Sequence, residues 1–436
     1  MPKLRIVAVP ARTYYMARSV EPEMKAVAAG AIDAIVDALT KPLTPDEVKG
    51  TLAAVAKAEE PLKFTGATYH EAAEAANEAF LARRWADGLS IVPPTKEAVK
   101  WMLTGTSRSP EEVIAEKVPA KGGKATIEKI AINAVMAGAK PEYLPVIIAA
   151  MEVITDKDYN ALHLQSSASS PAPVIFVNGP IAAELGMNSG TGYLGYGWRP
   201  NNTIGRAVRL CLINLGHMWP AVNDMGLTGR SAAFGNWTFA ENEKDSPWKP
   251  YHVDLGFKSE ESTVTVSNEM HYKVGPGGPV TPQTPYESLV VLGKVLETLE
   301  FPTISFAVKP GGQDVLIGMG PDLAQRLAKI GFSKEDVKRW LYDHARISYS
   351  DLTEEELKNL QQGLDKKVTP MSFWVEGGSK NTKGIVPSIP VVRSPDVIRI
   401  VVVGGFPGFT VMWKYDNNRG FGTKVIRGAT LTKAGR

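Results

Sequence analysis

The chain has little cysteine, no long apolar run and no excess of either charge. Its one cysteine, Cys211, rules out an intrachain disulfide and any zinc or iron–sulfur site built from several thiolates. No run reaches the roughly 18 apolar residues that a membrane helix needs, so no membrane partner is expected. Lysine and arginine number 49 against 46 acidic residues, for a net charge of +3. So even a balance argues against a nucleic-acid partner, which wants a basic face. The opening MPKLRIVAVPARTYY has one short apolar run and none of the pattern of a secretory leader. A cytoplasmic protein is expected. The six histidines show no His-x-x-x-His spacing, which leaves open only a metal assembled from distant residues. There is no Gly-x-Ser-x-Gly elbow. The Gly404-Gly405 turn is followed by neither Gly-x-Gly-x-x-Gly nor a P-loop lysine, so no nucleotide is expected. The cofactor is unknown, with no haem motif either.

What is present is the material of an ordinary globular enzyme-sized chain. With 436 residues, 44% hydrophobic and 22% charged, two or three domains are expected. Composition divides the chain into an extension at 1–60, a helical region at 61–160, an α/β domain at 161–290 and a second α/β domain at 291–436. The last contains a polar, lysine-rich insertion near 352–383. Spacing of apolar residues and cap signals predict helices over Met24–Leu39, Tyr69–Trp85, Thr95–Leu103, Thr126–Ala137 and Pro141–Ile154. Ser109-Pro110-Glu111-Glu112 reads as another helix start. Strand-length apolar runs stand at Leu4–Val9, Pro173–Val177, Thr303–Val308, Asp314–Gly318 and Val397–Val403. Helices follow at Gly320-Pro321-Asp322 and at Ser333, where Asp336 completes a near-capping box. Strands alternating with helices predict an α/β fold: a helical N-terminal region, then a mainly parallel sheet with Rossmann-like βαβ units.

The stretch from Pro173 to Asn214 carries the chemistry. A strand runs into Asn178-Gly179-Pro180, where glycine allows close backbone approach and a helix start offers free N–H groups. Asn188-Ser189-Gly190 and Arg199-Pro200-Asn201-Asn202-Thr203 follow, ahead of a helix expected from Thr203. Arg206 and Arg209, three apart, share a helix face, and arginine is the bidentate partner of carboxylates. Asn178, Gly179, Asn188, Ser189, Arg199, Asn202 and Arg206 are therefore candidate substrate-binding residues for a small anion. The run from His163 to Ser170 adds hydroxyls, with Ser166 and Ser167 as binding candidates and His163 as an acid–base candidate. Further on, Phe239-Ala240-Glu241-Asn242-Glu243 leads to Tyr251-His252. Glu241 follows an apolar run, so it is expected to point inward, where burial raises a carboxyl pKa and makes it a usable base. His252 is the second acid–base candidate. Against these stand bland alternatives: asparagines that shape turns, arginines paired with acids, a solvated charged loop and a structural histidine.

Several of these segments resemble one family. They are Asp87–Thr95 (DGLSIVPPT), Glu128–Tyr143, Asn178-Gly179-Pro180, Asn188-Ser189-Gly190, Phe239–Glu243 and Ser246-Pro247-Trp248. Together they resemble a bacterial family related to, or encoded beside, the UGSC-motif proteins, over roughly residues 70–350. The resemblance implies an enzyme of small-molecule catabolism. The chain departs from the pattern in lacking the UGSC tetrapeptide and in carrying Ala139 where related chains often have Cys. Both departures tell against thiol chemistry, and Cys211 in its apolar helix reads as core. Three functions stay open. The first is a lyase or hydratase acting on a small carboxylate. The second is a serine-dependent hydrolase using Ser166–Ser170, and the third a non-catalytic small-molecule-binding subunit. A homo-oligomer is compatible with each.

Overall fold

A computed structural model describes residues 21–42, 61–167, 170–219, 236–269, 271–275, 284–298, 314–348, 388–392, 394–415 and 420–430, with isolated positions 224, 226, 229, 230 and 354. The strands expected at Leu4–Val9 and Thr303–Val308, and nearly all of the 352–383 insertion, lie outside these. The chain forms two compact units, Met1–Phe64 and Thr65–Arg436. In the first, α1 spans Glu21–Thr40.

In the second unit the local signals mostly act as expected. Helix α2 (Tyr69–Ala82) begins at Thr68, whose hydroxyl accepts the Glu71 N–H. Thr95 caps α3 (Lys96–Leu103) in the same way. Ser109-Pro110-Glu111-Glu112 starts no helix. It is a turn closed by Glu112 N–H to the Ser109 carbonyl, and it leads into strand β1 (Val113–Val118), which pairs with β2 (Gly123–Thr126). The acidic side chains are spent locally, Glu112 on Arg108 and Glu111 on Ser109, and the β-branched Val113-Ile114 favours a strand. Thr126 then caps α4 (Ile127–Met136) through Lys129 N–H. Helix α5 (Leu144–Ile154) is buried along almost its whole length, and α6 (Ala161–Ser166) leads to β3 (Ala172–Asn178).

From β3 onward the chain is built twice on one plan. Strand β3 is followed by α7 (Pro180–Glu184), α8 (Arg199–Gly216) and β4 (Trp237–Ala240), which lies parallel to β3. After α9 (Tyr251–Asp254), β5 (Thr263–Glu269) returns antiparallel on the other side of β3. Strand β6 (His271–Val274) leaves for the other sheet, and α10 (Pro285–Thr298) follows it. Then β7 (Asp314–Met319), α11 (Pro321–Lys329) and α12 (Lys334–His344) precede a small ribbon of β8 (Arg346–Ser348) and β9 (Ser388–Pro390). Strand β10 (Ile398–Val402) lies parallel to β7, and β11 (Val411–Tyr415) runs antiparallel on its other side. Last, β12 (Phe421–Val425) crosses back to the first sheet. The sheet orders are β12-β5-β3-β4 and β10-β7-β11-β6, so each half lends the other its outer strand. The segments expected as separate domains at 161–290 and 291–436 are thus interlocked through these exchanged edges.

The fold is α/β, but the sheets are mixed rather than mainly parallel. Each four-stranded sheet has one parallel pair and two antiparallel pairs. The misleading signal is the unbroken apolar run of β3. Val174 and Phe176 face the other sheet, where they pack with Phe239, Leu316, Val401, Val403 and Trp413. Ile175 and Val177 face α4, α5 and α8. Such a run reports that both faces are covered, not the direction of the neighbouring strands. A third core joins the back of the second sheet to α10, α11 and α12. The layers are therefore helices, sheet, sheet, helices. Stacking of Phe239 on Trp413 (centroids 5.6 Å, planes 13° apart) ties β4 to β11 across the middle.

Candidate active site

The duplicated plan ends its parallel strands at one place. Glu241 N–H donates to the Val177 carbonyl (3.1 Å), and Val403 N–H to the Met319 carbonyl (2.9 Å). Given the strand registers, Glu241 and Val403 occupy matching positions, as do Asn178 and Gly320. The first half is polar where the second is apolar or bare. The two ends also bond to each other, since Asn242 N–H donates to the Val402 carbonyl at 2.7 Å.

Glu241 sits between the two halves with its side chain fully enclosed. Oε2 accepts the Asn178 amide (2.5 Å) and the Tyr251 N–H (2.7 Å), and Oε1 accepts the Val402 N–H at 3.3 Å. Burial pushes its pKa up, as expected from the sequence, against the pull of Lys334 and of these three donors. Lys334 Nζ lies 3.9 Å from Oε1, near but beyond hydrogen-bond reach. It is itself buried at the start of α12, donating to the Lys249 carbonyl and to Asp254, both at 2.7 Å.

Two residues on, Glu243 reaches the same asparagine. Its Oε1 accepts the Asn178 amide (3.0 Å) and the Gly179 N–H (2.7 Å). Its side chain keeps 29% exposure, and Oε2 takes no hydrogen bond from the described residues. Gly179 makes this possible: its φ of 84° and ψ of −175° suit glycine alone, and a Cβ there would stand 2.3 Å from the Glu261 carbonyl oxygen. His252, on α9, is fully buried, with Nδ1 3.8 Å from Glu243 Oε1. That distance is beyond hydrogen-bond reach, and neither ring nitrogen has a hydrogen-bond partner. Asn178 Oδ1 is likewise buried without one. Unpaired buried polar atoms are rare enough to mark a site.

The other expected residues are placed as follows. The Asn201 side chain accepts the Asn188 N–H and donates to the Asn188 carbonyl, both at 2.9 Å, the Asn188 side chain bonds the Thr191 carbonyl and the Gly190 N–H, and the Ser189 carbonyl accepts Gly404 N–H at 2.7 Å. Helix α8 starts at Arg199, four residues before the expected Thr203. Arg199 donates to the Gly138 carbonyl (3.1 and 2.9 Å), and Asn202 to the Trp198 carbonyl (2.9 Å). Arg206 forms a two-pronged pair with Asp87 (2.8 and 2.9 Å) and also reaches the Ser90 carbonyl. Arg209 is buried against Asn236, and burial pulls its pKa down to about 10. His163, Ser166 and Ser167 lie at the far end of β3 from Asn178, roughly 20 Å away along seven residues of strand. Ser166 donates to the Leu162 carbonyl, and Asn160 caps the His163 N–H. Ala168 and Ser169 lie outside the described residues. Cys211 is buried in α8, its thiol pKa raised by burial.

So Asn178, Gly179, Glu241 and His252 come together, with Asn188 and Ser189 in the adjoining loop, while the arginines, His163, Ser166 and Ser167 stand elsewhere. Sequence reasoning gave no role to Glu243, to Lys334 or to Tyr193. A signal for Glu243 existed: a Glu-Asn-Glu run at a strand end, opposite an Asn-Gly turn. Gly190, Gly192 and Gly195 also spell Gly-x-Gly-x-x-Gly. The run follows helix α7 rather than a strand, so it lacks the context of a dinucleotide loop. Among the described residues no group of three or more His, Cys, Asp or Glu is placed to hold a metal. No described helix is long and apolar enough to cross a membrane. A separate cleft of about 330 Å³ near Ile114, Thr155 and Arg427 has its acids already paired, Asp156 with Lys424 and Glu152 with Arg108. No protein-family model matches the chain, and no curated protein or solved structure shows similarity to it.

Proposed function

We propose that the chain is an enzyme of the lyase or hydratase class that moves a proton on a small molecule, with Glu243 as its base. The observation that carries this reading is the state of the Glu243 carboxylate. One oxygen is anchored by a buried amide and a backbone N–H, the other is unengaged, and the side chain keeps access to solvent. A base held in this way has its orientation fixed before substrate arrives, which is what proton transfer rewards. His252 packs beside Glu243, its Nδ1 3.8 Å from Oε1, and serves as a positioning residue for the carboxylate. Glu241, fully enclosed, is a positioning residue that fixes Asn178 and joins the two halves.

The reading departs from a carboxylate substrate. Arg199 and Arg206 are bonded inside the protein, and Glu241 and Glu243 already bring two carboxyl groups to the site. A third would be repelled, so a neutral carbonyl compound fits better. The resemblance to a family of small-molecule catabolic enzymes supports an enzymatic role.

The test is deuterium incorporation from D2O into a panel of small carbonyl compounds, followed by proton NMR. The wild-type chain should exchange at least one member well above the blank. Glu243→Gln should lower that rate by roughly 10²-fold or more, as loss of a general base does, with unchanged circular dichroism. If no compound exchanges, or if Glu243→Gln exchanges as fast as wild type, the proposal fails. A non-catalytic binding role then takes its place.

A further inference from the structure

The loops above this cluster carry a second kind of chemistry. The segment from Gly190 to Trp198 and the one from Gly404 to Phe409 are rich in glycine and hold no charged residue. They are fastened to each other and to the cluster. Gly404 N–H donates to the Ser189 carbonyl (2.7 Å), Asn242 donates to the Gly404 carbonyl (3.0 Å), and Thr191 presses on the bare face of Gly405. Both therefore stand at the end of the parallel strands where Glu241 and Glu243 lie. Five large apolar side chains protrude from them: Leu194 (39% exposed), Tyr196 (95%), Trp198 (44%), Phe406 (55%) and Phe409 (57%). Exposing this much apolar surface on two short loops is costly unless something covers it. Beneath them Tyr193 is buried against Phe239 and Gly404, and its hydroxyl has no hydrogen-bond partner.

We infer that these loops bind the apolar, ring-bearing body of the substrate. This rests on the proposed proton transfer at Glu243 and names the class of compound: a neutral carbonyl compound carrying an aromatic ring. The absence of charge on both loops matches an uncharged body. Aromatic side chains supply broad apolar contact and edge or face packing for a ring.

The probes are 4-phenylbutan-2-one and butan-2-one, with binding to the full-length chain measured by saturation-transfer difference NMR. The wild type should bind the phenyl ketone about tenfold or more tightly, the range expected for burying a ring. The double variant Trp198→Ala/Phe406→Ala should bring the two ketones to similar affinity. Both side chains are well exposed, so the fold should hold. Tyr196→Ser, at a position almost wholly in solvent, gives a second variant that should weaken the preference. Equal affinity for the ketones in the wild type, or an undiminished preference in both variants, overturns the inference. So does sedimentation showing that the double variant turns an oligomer into a monomer, because the loops would then be a protein interface. The Glu243→Gln variant separates the two ideas. It should lose exchange and keep the phenyl preference. If it keeps both, only the base assignment falls.

Discussion

Arg206 offers a sharp quantitative test, because sequence and structure give it different work. As a ligand clamp it would be removable at little cost to the fold. In the structure its guanidinium grips Asp87 with two bonds of 2.8 and 2.9 Å, and the two side chains are 16% and 3% exposed. Arg206→Ala would leave the Asp87 carboxylate enclosed without its counter-charge. Breaking one partner of a buried pair costs about 3–5 kcal/mol. Loss of the bonds to the Ser90 and Leu89 carbonyls adds to the cost, so the upper half of that range applies. Asp87→Ala should cost a similar amount. The double variant should cost much less than the sum, because the second change removes the orphan left by the first. Combining Asp87→Leu with Arg206→Met should recover most of the loss, since well-packed apolar pairs often equal buried ion pairs. Urea unfolding of these variants beside the wild type measures this directly. An Arg206→Ala variant within about 0.5 kcal/mol of wild type, with no coupling to Asp87, would refute the argument from burial. Arg206 would then return as a candidate substrate ligand.

Two further outcomes concern the cluster itself. Glu241 has its folded pKa raised above the unfolded value of 4.5 by burial, so the folded chain holds that proton more tightly than the unfolded one. Its contribution to stability is therefore fullest below pH 4.5 and declines as pH rises, until the folded pKa is passed. The stability difference between wild type and Glu241→Gln, from urea unfolding at several pH values, should shrink from pH 4.5 upward; a difference that grows with pH contradicts the assignment. Gly179→Ala forces a side chain into a left-handed backbone and against the Glu261 carbonyl. The backbone term alone costs roughly 1–3 kcal/mol, and exchange activity should fall with stability because Gly179 N–H anchors Glu243. A stable, fully active Gly179→Ala protein would show that the anchor is dispensable.

Legibility in the sequence followed the range of the interactions. Helix caps at Thr95 and Ser333 were readable because cap and partner lie three residues apart. The inward turn of Glu241 was readable from the apolar run before it. Strand direction was not, since β3 is apolar on both faces whichever way its neighbours run. The duplicated plan left one trace, a strand ending in Gly-Pro at both Gly179-Pro180 and Gly320-Pro321. The exchanged edge strands β6 and β12 blur it by pairing each half with the other. The partners of Arg206 and Glu243 lie 119 and about 65 residues away in the chain, so no local spacing announces them. Nothing in the sequence separated an arginine facing Asp87 from one facing a ligand.

The central claim is that Glu243, with one oxygen anchored and the other unengaged, is the proton acceptor. Its most direct test is the rate of deuterium incorporation into the best carbonyl compound for wild type and for Glu243→Gln. The account predicts a Glu243→Gln rate roughly 10²-fold or more below that of the wild type, with unchanged circular dichroism. An equal rate in both proteins would contradict it.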